Sequence, residues 1–395
     1  MHGAFQMKFH ISGRPLISDI VLAVLVVSYT ACVMLVSRHT SYYDIYKLSG
    51  RDSVSFEKAV VTAVSSEKLE NHSRQKGMVT GFQELTVRIL TGQYAGKIVP
   101  VTNYLNYDTS YRFMPGKHLI VSVNATADEK SLHVFVSTPD RLFILCLFAV
   151  LIVLLLCAAG GRQGFRSVLA IIFTLSSILF VFVPLVYRGI PPVGAAVLLA
   201  AVTAGITLPL TGGTGRKTAA ATAGTLICLC LAAGVQAVFC RLTMISGFTF
   251  GDTDSLMQIA AHSGLRIGGL LFAAVLISSL GAVMDIAMSI ASAVNEVHLN
   301  NPSAEFRDLF TAGMHMGRDM MGTMANTLIL AFTGSSLVML VQIYTYNMQP
   351  NQVLNSNSIA VEIIQALSGS FAVISAVPVV SALSAQMLCK AGNRK

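Results

Sequence analysis

Charge is what this chain of 395 residues has least of. Asp, Glu, Lys and Arg together make 12% of it, while apolar side chains make 54%. An ordinary soluble domain carries roughly twice that charged fraction. The shortage excludes a soluble globular protein and points to an integral membrane protein. The net charge is only +8, which gives no case for a nucleic-acid partner. In a membrane protein, Lys and Arg gather in cytoplasmic loops. Catalytic signatures are missing too. No His-Glu-x-x-His run and no Gly-x-Ser-x-Gly elbow occurs. TGGTGRKT (211–218) looks like a phosphate loop, but Arg216 stands where its second glycine belongs and Thr211 where its first does. Asp252 and Asp285 lack the flanking pattern of an intramembrane aspartyl protease. The seven cysteines lie in or beside apolar segments without a Cys-x-x-Cys pair, so neither a disulfide framework nor a metal site is expected. The reading is of a non-enzyme without cofactor.

Long apolar runs are what the chain does have. A helix needs about 20 apolar residues to cross the ~30 Å hydrocarbon layer. Eight such segments stand out, at about 17–37, 141–160, 167–187, 190–210, 218–240, 267–290, 322–345 and 359–388. The first has no cleavage site and reads as a signal anchor. With the N-terminus inside, eleven basic residues fall on the cytoplasmic side: Lys8, Arg14, Arg162, Arg166, Arg216, Lys217, Arg307, Arg318, Lys390, Arg394 and Lys395. Only three, Arg188, Arg241 and Arg266, fall in short outer loops. Both termini are therefore expected in the cytoplasm.

Residues 38–140 are then extracytoplasmic, and they hold twelve of the 27 Lys and Arg. Their pattern is that of strands. In FQELTVRIL, Leu85, Val87 and Ile89 alternate with Glu84, Thr86 and Arg88, and KHLIVSVN repeats this with Leu119, Val121 and Val123. SFEKAVVTAV, YAGKIVPVTN and SLHVFVS add three more strands, with MPGK (114–117) as a turn. Five short strands predict a small β-barrel-like, OB-like domain between the first two helices. The aromatics Tyr104, Tyr107, Tyr111 and Phe113 serve packing or a partner surface. The division is then 1–37 (cytoplasmic N-terminus and anchor helix), 38–140 (β-domain) and 141–395 (seven-helix membrane domain).

The sixth span carries an aspartate among Ala, Val, Ile and Met. On a helix, Ser278, Gly281, Asp285, Ser289, Ser292 and Glu296 share one face, opposite Leu280, Val283, Met284, Ala287, Met288 and Ala291. At ~1.5 Å per residue Asp285 lies in the inner part of the membrane and Glu296 at its cytoplasmic surface. The seventh span has a matching stripe: His315, Asp319, Gly322, Asn326 and Thr333, with Thr323 beside it and Arg318 at its inner end. The two spans run antiparallel, so Asp285 is expected to meet Asn326, Thr323 or Arg318 across a polar seam. Gly281, Ser289, Gly322 and Gly334 allow close helix packing there. Residues 301–305 start the helix leading into the seventh span, capped by Asn301 or Ser303. Glu362 and Gln365 add polarity near the outer start of the last span. The seam reads either as a helix lock or as an ion- or proton-linked pathway.

LGAVMDIAMSIASAVNEV (280–297) and GMHMGRDMMGTMANTLILAFTGSSL (313–337) closely resemble the paired motifs of the YibE/F-like family of bacterial multi-pass membrane proteins. The resemblance covers roughly residues 140–390 and is of the YibE type. Its matched positions are Gly281, Asp285, Ser289, Gly317, Arg318, Asp319, Gly322, Thr323, Asn326 and Thr327. It implies a bacterial plasma-membrane permease component beside a homologous YibF-like subunit or as a homo-oligomer in the bilayer. It brings no catalytic residues. In that reading Asp285 binds the ion or proton, Asn326 and Thr323 are polar ligands, and Arg318 and Asp319 form an inner gate. Ser289, Ser292, Glu296, His315 and Glu362 are accessory. The alternative is a non-transporting scaffold or sensor whose outer domain binds a ligand or partner.

Overall fold

The computed structural model describes residues 15–38, 54–71, 78–107, 109–125, 132–245, 253–346 and 348–392. Lys8, Arg14, Asp252, Arg394 and Lys395 lie outside them. The chain forms two compact units, residues 42–155 and the remainder.

The smaller unit holds five antiparallel strands: β1 (Val54–Asn71), β2 (Val79–Ile89), β3 (Ile98–Leu105), β4 (His118–Ala125) and β5 (Leu132–Pro139). Their order is β3-β2-β1-β4-β5, a half-barrel sheet. The 18-residue β1 pairs through its first half with β4 and through the rest with β2. Register shifts at Val61/Ala63 and Val64/Ser66 bend it between the two. The alternation read from the sequence is the core of the sheet. Leu85, Val87, Ile89, Leu119, Val121 and Val123 are all buried against Ala59, Val61 and Phe113. Of the four aromatics, Phe113 is core and Tyr111 lies under the Arg141 guanidinium, whereas Tyr104 and Tyr107 are exposed. Buried Gln83 and Asn103 secure the connection before β4. Asn103 donates to Tyr111 O (2.9 Å), and Gln83 donates to Phe113 O (3.2 Å) and accepts from Phe113 N (3.0 Å).

The larger unit is helical. Among the described residues six helices are long and apolar enough to cross a membrane, or seven if one bent pair counts as a single span. They are α1 (Pro15–Arg38), α2 (Leu142–Ser177), which continues through a π turn into α3 (Val183–Tyr187), α4 (Pro192–Gly212), α5 (Arg216–Leu242), α7 (Leu270–Asn300) and α11 (Asn357–Gly392). The bent pair is α8 (Phe306–Ser335) with α9 (Leu337–Thr345). Short α6 (Thr253–Ala261) and α10 (Pro350–Leu354) complete the set. Eight separate spans are thus not what the helices count to, because the second and third expected segments form one apolar stretch, Leu142–Tyr187. It is not one straight rod. Gly161 has φ 53° and ψ −127°, outside helical space. A Cβ on Gly164 would run into the Leu156 carbonyl, eight residues and ~12 Å away along a straight helix, so the chain turns back there.

α1 packs along the second part of α2. Asp19 pairs with Arg162 and, at 2.9 Å, with Arg166; Tyr29 packs against Phe173 with tilted rings (centroids 4.8 Å apart) and its hydroxyl meets Ser177 Oγ (3.0 Å). The main core gathers α4, α5, α7, α8 and α11 around Val283, Ile286, Ala287, Ile290 and Val294 of α7, all fully buried. α8 begins at a capping box of Glu305 and Asp308. The expected caps do something else: Ser303 Oγ donates to Asn301 Oδ1 (2.7 Å), and Asn301 ends α7.

Candidate functional site

The polar stripes lie on one face of each helix, as the spacing requires, but the faces point away from the bundle. On α7, Ser278, Gly281, Asp285 and Glu296 are exposed, and Ser289 and Ser292 are half-buried. The opposite apolar face fills the core. On α8, His315, Arg318, Asp319, Gly322, Thr323, Asn326, Thr327 and Thr333 are all exposed. Only Leu309, Gly313, Gly317 and Leu328 of its thirty residues are buried.

Steric fit sets these directions. A Cβ on Gly313 would sit 2.6 Å from Ser381 Oγ and 2.9 Å from Val294 Cγ2. One on Gly317 would sit 3.0 Å from Val377 Cγ2 and 3.1 Å from Ile290 Cδ1. Glycines four apart on α8 therefore touch α7 and α11 where no side chain fits. The face opposite them, with Asp319, Gly322 and Asn326, is turned out. Asp285 is five residues from Ile290, about 140° around α7, so it points away from α8. On its other flank Met284 and Met288 face α4, at Thr207 Oγ1 (3.5 Å) and Gly212.

The expected seam within the chain is therefore not formed. No hydrogen bond or ion pair among the described residues joins Asp285 to Asn326, Thr323 or Arg318. Thr323 instead donates to Met320 O in its own helix (2.8 Å). Gly281, Gly322 and Gly334 also mediate no packing among the described residues, because a Cβ on any of them would meet none of their atoms within 4 Å. Among the described residues no cluster of His, Cys, Asp and Glu could hold a metal.

Glu362 leads to a feature that periodicity missed. α8 and α9 meet at a 58° bend, with buried Ser336 between them. Against the bend lies a groove of about 410 Å³, walled by Phe332, Met339, Leu354, Ile363 and Ala366. Glu362 Oε2 and Ser336 Oγ line it, both buried and without a hydrogen-bond partner among the described residues. A buried carboxylate oxygen without a donor is costly, so the groove suits a ligand that brings a cation or a donor on an apolar body. The signal was present as Gly334-Ser335-Ser336 inside an apolar run, since Gly and Ser pairs are frequent kink sites. Gln236 of α5, which carries no periodic signal, is fully buried, and neither of its amide atoms has a partner among the described residues.

A model of the family described as YibE/F-like protein matches residues 148–390 of the chain. No curated protein and no solved structure matches it.

Proposed function

The chain belongs to the YibE/F-like family, and on that premise we propose that it is a permease component of a bacterial plasma membrane, ion- or proton-linked. We infer eight crossings, with both termini cytoplasmic and an OB-like β-unit outside. Helix directions support this count. Asp19 lies beside Arg162 and Arg166 while Tyr29, further along α1, lies beside Phe173 and Ser177, so α1 and the segment after Gly161 run parallel. Parallel crossings need a return between them, and residues 142–160 are apolar enough to supply it. The strand order β3-β2-β1-β4-β5 is that of a five-stranded OB barrel opened between β3 and β5.

The observation that carries the transport reading is the broken helix. Interrupted helices flanked by unpaired polar groups are the usual construction of transporter binding sites. Here the break at Ser336 adjoins Glu362 Oε2, which has no hydrogen-bond partner among the described residues. Asp285, ionisable and without a hydrogen bond or ion pair among the described residues, is the proton- or ion-linked group in this reading, because an ionisable residue within a membrane helix points first to function. Proton flux into liposomes holding the purified protein and an internal pH dye tests this. Wild type conducts, and Asp285→Asn and Glu362→Gln each cut the flux at least about tenfold. Wild-type flux in folded Asp285→Asn ends that residue's role, and no flux above empty liposomes ends the permease reading.

One observation favours a sensor instead. A cleft of about 520 Å³ lies between the free edges of β3 and β5, lined by Tyr104, His133 and Phe135. Deleting residues 45–138 separates the two readings, since a permease keeps its flux and a sensor loses all response while still assembling in the membrane.

A further inference from the structure

We propose that the outward polar face of α7 and α8 is where a second copy of this chain docks, about a two-fold axis along the membrane normal. The inference rests on the face itself and not on the transport reading.

Lipid is the wrong neighbour for this face. A charged residue at the centre of a membrane helix costs ~2.5–3.5 kcal/mol on insertion scales. On the topology proposed above, Asp285, Thr323 and Asn326 lie one to several turns inside the membrane, with Arg318 and Asp319 at its inner edge. Among the described residues nothing covers them. α7 is flanked by α4 at Thr207 and by α8 at Gly317, and Asp285 stands in the gap between the flanks. The glycines divide in the same way. Gly313 and Gly317 are pressed against α11 and α7, whereas Gly281 and Gly322 open onto empty space on the polar face. Small residues of that kind let a further helix backbone approach.

The face also complements itself. Rotation about the membrane normal preserves depth, so each residue meets residues of its own level in the second copy. Arg318 then meets the second copy's Asp319, and Asp319 its Arg318, giving two ion pairs from one contact. Asn326 meets Asn326, where an amide both donates and accepts. Gly322 meets Gly322, where the two α8 backbones come closest. An unrelated partner would have to supply both charges at matching depth; this chain already carries them.

Native mass spectrometry of the full chain released from lipid nanodiscs, with dilution series in mild detergent, reads the assembly directly. Wild type gives twice the chain mass. Gly322→Leu places its side chain in space that is open in one copy, so it folds with an unchanged circular-dichroism melt, yet its dimer dissociates at least about tenfold more readily. Gly234→Leu, on α5 and equally open, leaves the dimer intact. Asp319→Arg sets like charges opposite each other and weakens the dimer, and adding Arg318→Asp restores it. A wild-type chain that stays monomeric overturns the proposal, as it would if the partner were a different subunit. A dimer indifferent to Gly322→Leu overturns it as well, as does a charge swap no tighter than its single variant.

Discussion

Gly313→Ala isolates the contact that aims α8. The added methyl would lie 2.6 Å from Ser381 Oγ, 2.8 Å from Ser381 Cβ and 2.9 Å from Val294 Cγ2. Ordinary carbon contacts begin near ~3.5 Å, so two helices must each give way by roughly half an ångström or more. Neither has slack. Ser381 and Val294 are fully buried, and Ser381 Oγ is held by its bond to Val377 O at 2.6 Å. Overpacking of this kind costs ~1–3 kcal/mol. Against it stands the gain of about 1 kcal/mol from replacing Gly by Ala within a helix. The net expectation is a loss of about 0–2 kcal/mol. Gly205→Ala on α4 is the internal reference, since its Cβ meets nothing within 4 Å and it keeps the full propensity gain. The two variants should differ by about 1–3 kcal/mol in unfolding followed by far-UV circular dichroism during SDS titration of mixed micelles. Equal stabilities would refute the claim that Gly313 is there because no side chain fits.

Two further outcomes follow from the ion pairs. Asp19→Asn removes the anion that Arg162 and Arg166 share. The loss should be about 1–3 kcal/mol, toward the lower end because the Arg162 side chain is 46% exposed; an unchanged thermal melt in detergent would show that α1 is held by its apolar contacts alone. In the β-unit, the Arg112 guanidinium and then the Gln83 amide hold the Glu67 carboxyl below its ordinary value of 4.5. A lowered folded-state pKa means that the stabilisation is fully present above 4.5 and is lost as pH falls through the folded value. The β-unit should therefore melt lower at pH 3 than at pH 7, and Glu67→Gln should shrink that difference; a variant with the wild-type pH dependence contradicts the assignment.

The strands were legible because a half-buried sheet writes itself into sequence with a period of two. Every inward residue named from FQELTVRIL and KHLIVSVN is buried in the sheet. Apolar length likewise marked the helices. What periodicity could not supply was where they end. The runs at 141–160 and 167–187 are joined by Gly161-Arg162-Gln163-Gly164-Phe165-Arg166, a segment helical by hydrogen bonding yet broken at the φ/ψ of Gly161. The run at 322–345 is cut at Ser336, where hydropathy barely changes but the backbone bends by 58°. Glu362 was named for its polarity; the groove that makes it interesting exists only because of that bend.

The direction of the polar stripe was the harder matter, and its cause is physical. Helical spacing tells which residues share a face but not what the face meets. The usual membrane rule turns polar faces inward, and it pointed the wrong way within this chain. Packing decided otherwise. Val283, Ala287, Ile290 and Val294 recur at intervals of four, three and four, a seam that fits the glycines of α8. Once that seam closes, Asp285 and Asn326 have nowhere to go but out. Elsewhere the helices expose apolar side chains such as Leu198, Leu231, Phe239, Ile363 and Phe371, as lipid-facing helices do, so the outward ionisable face of α7 and α8 stands out against them. A polar face on a bundle otherwise clad in apolar side chains is what the proposed second copy would cover, and the open Gly281 and Gly322 mark where its backbone would come closest.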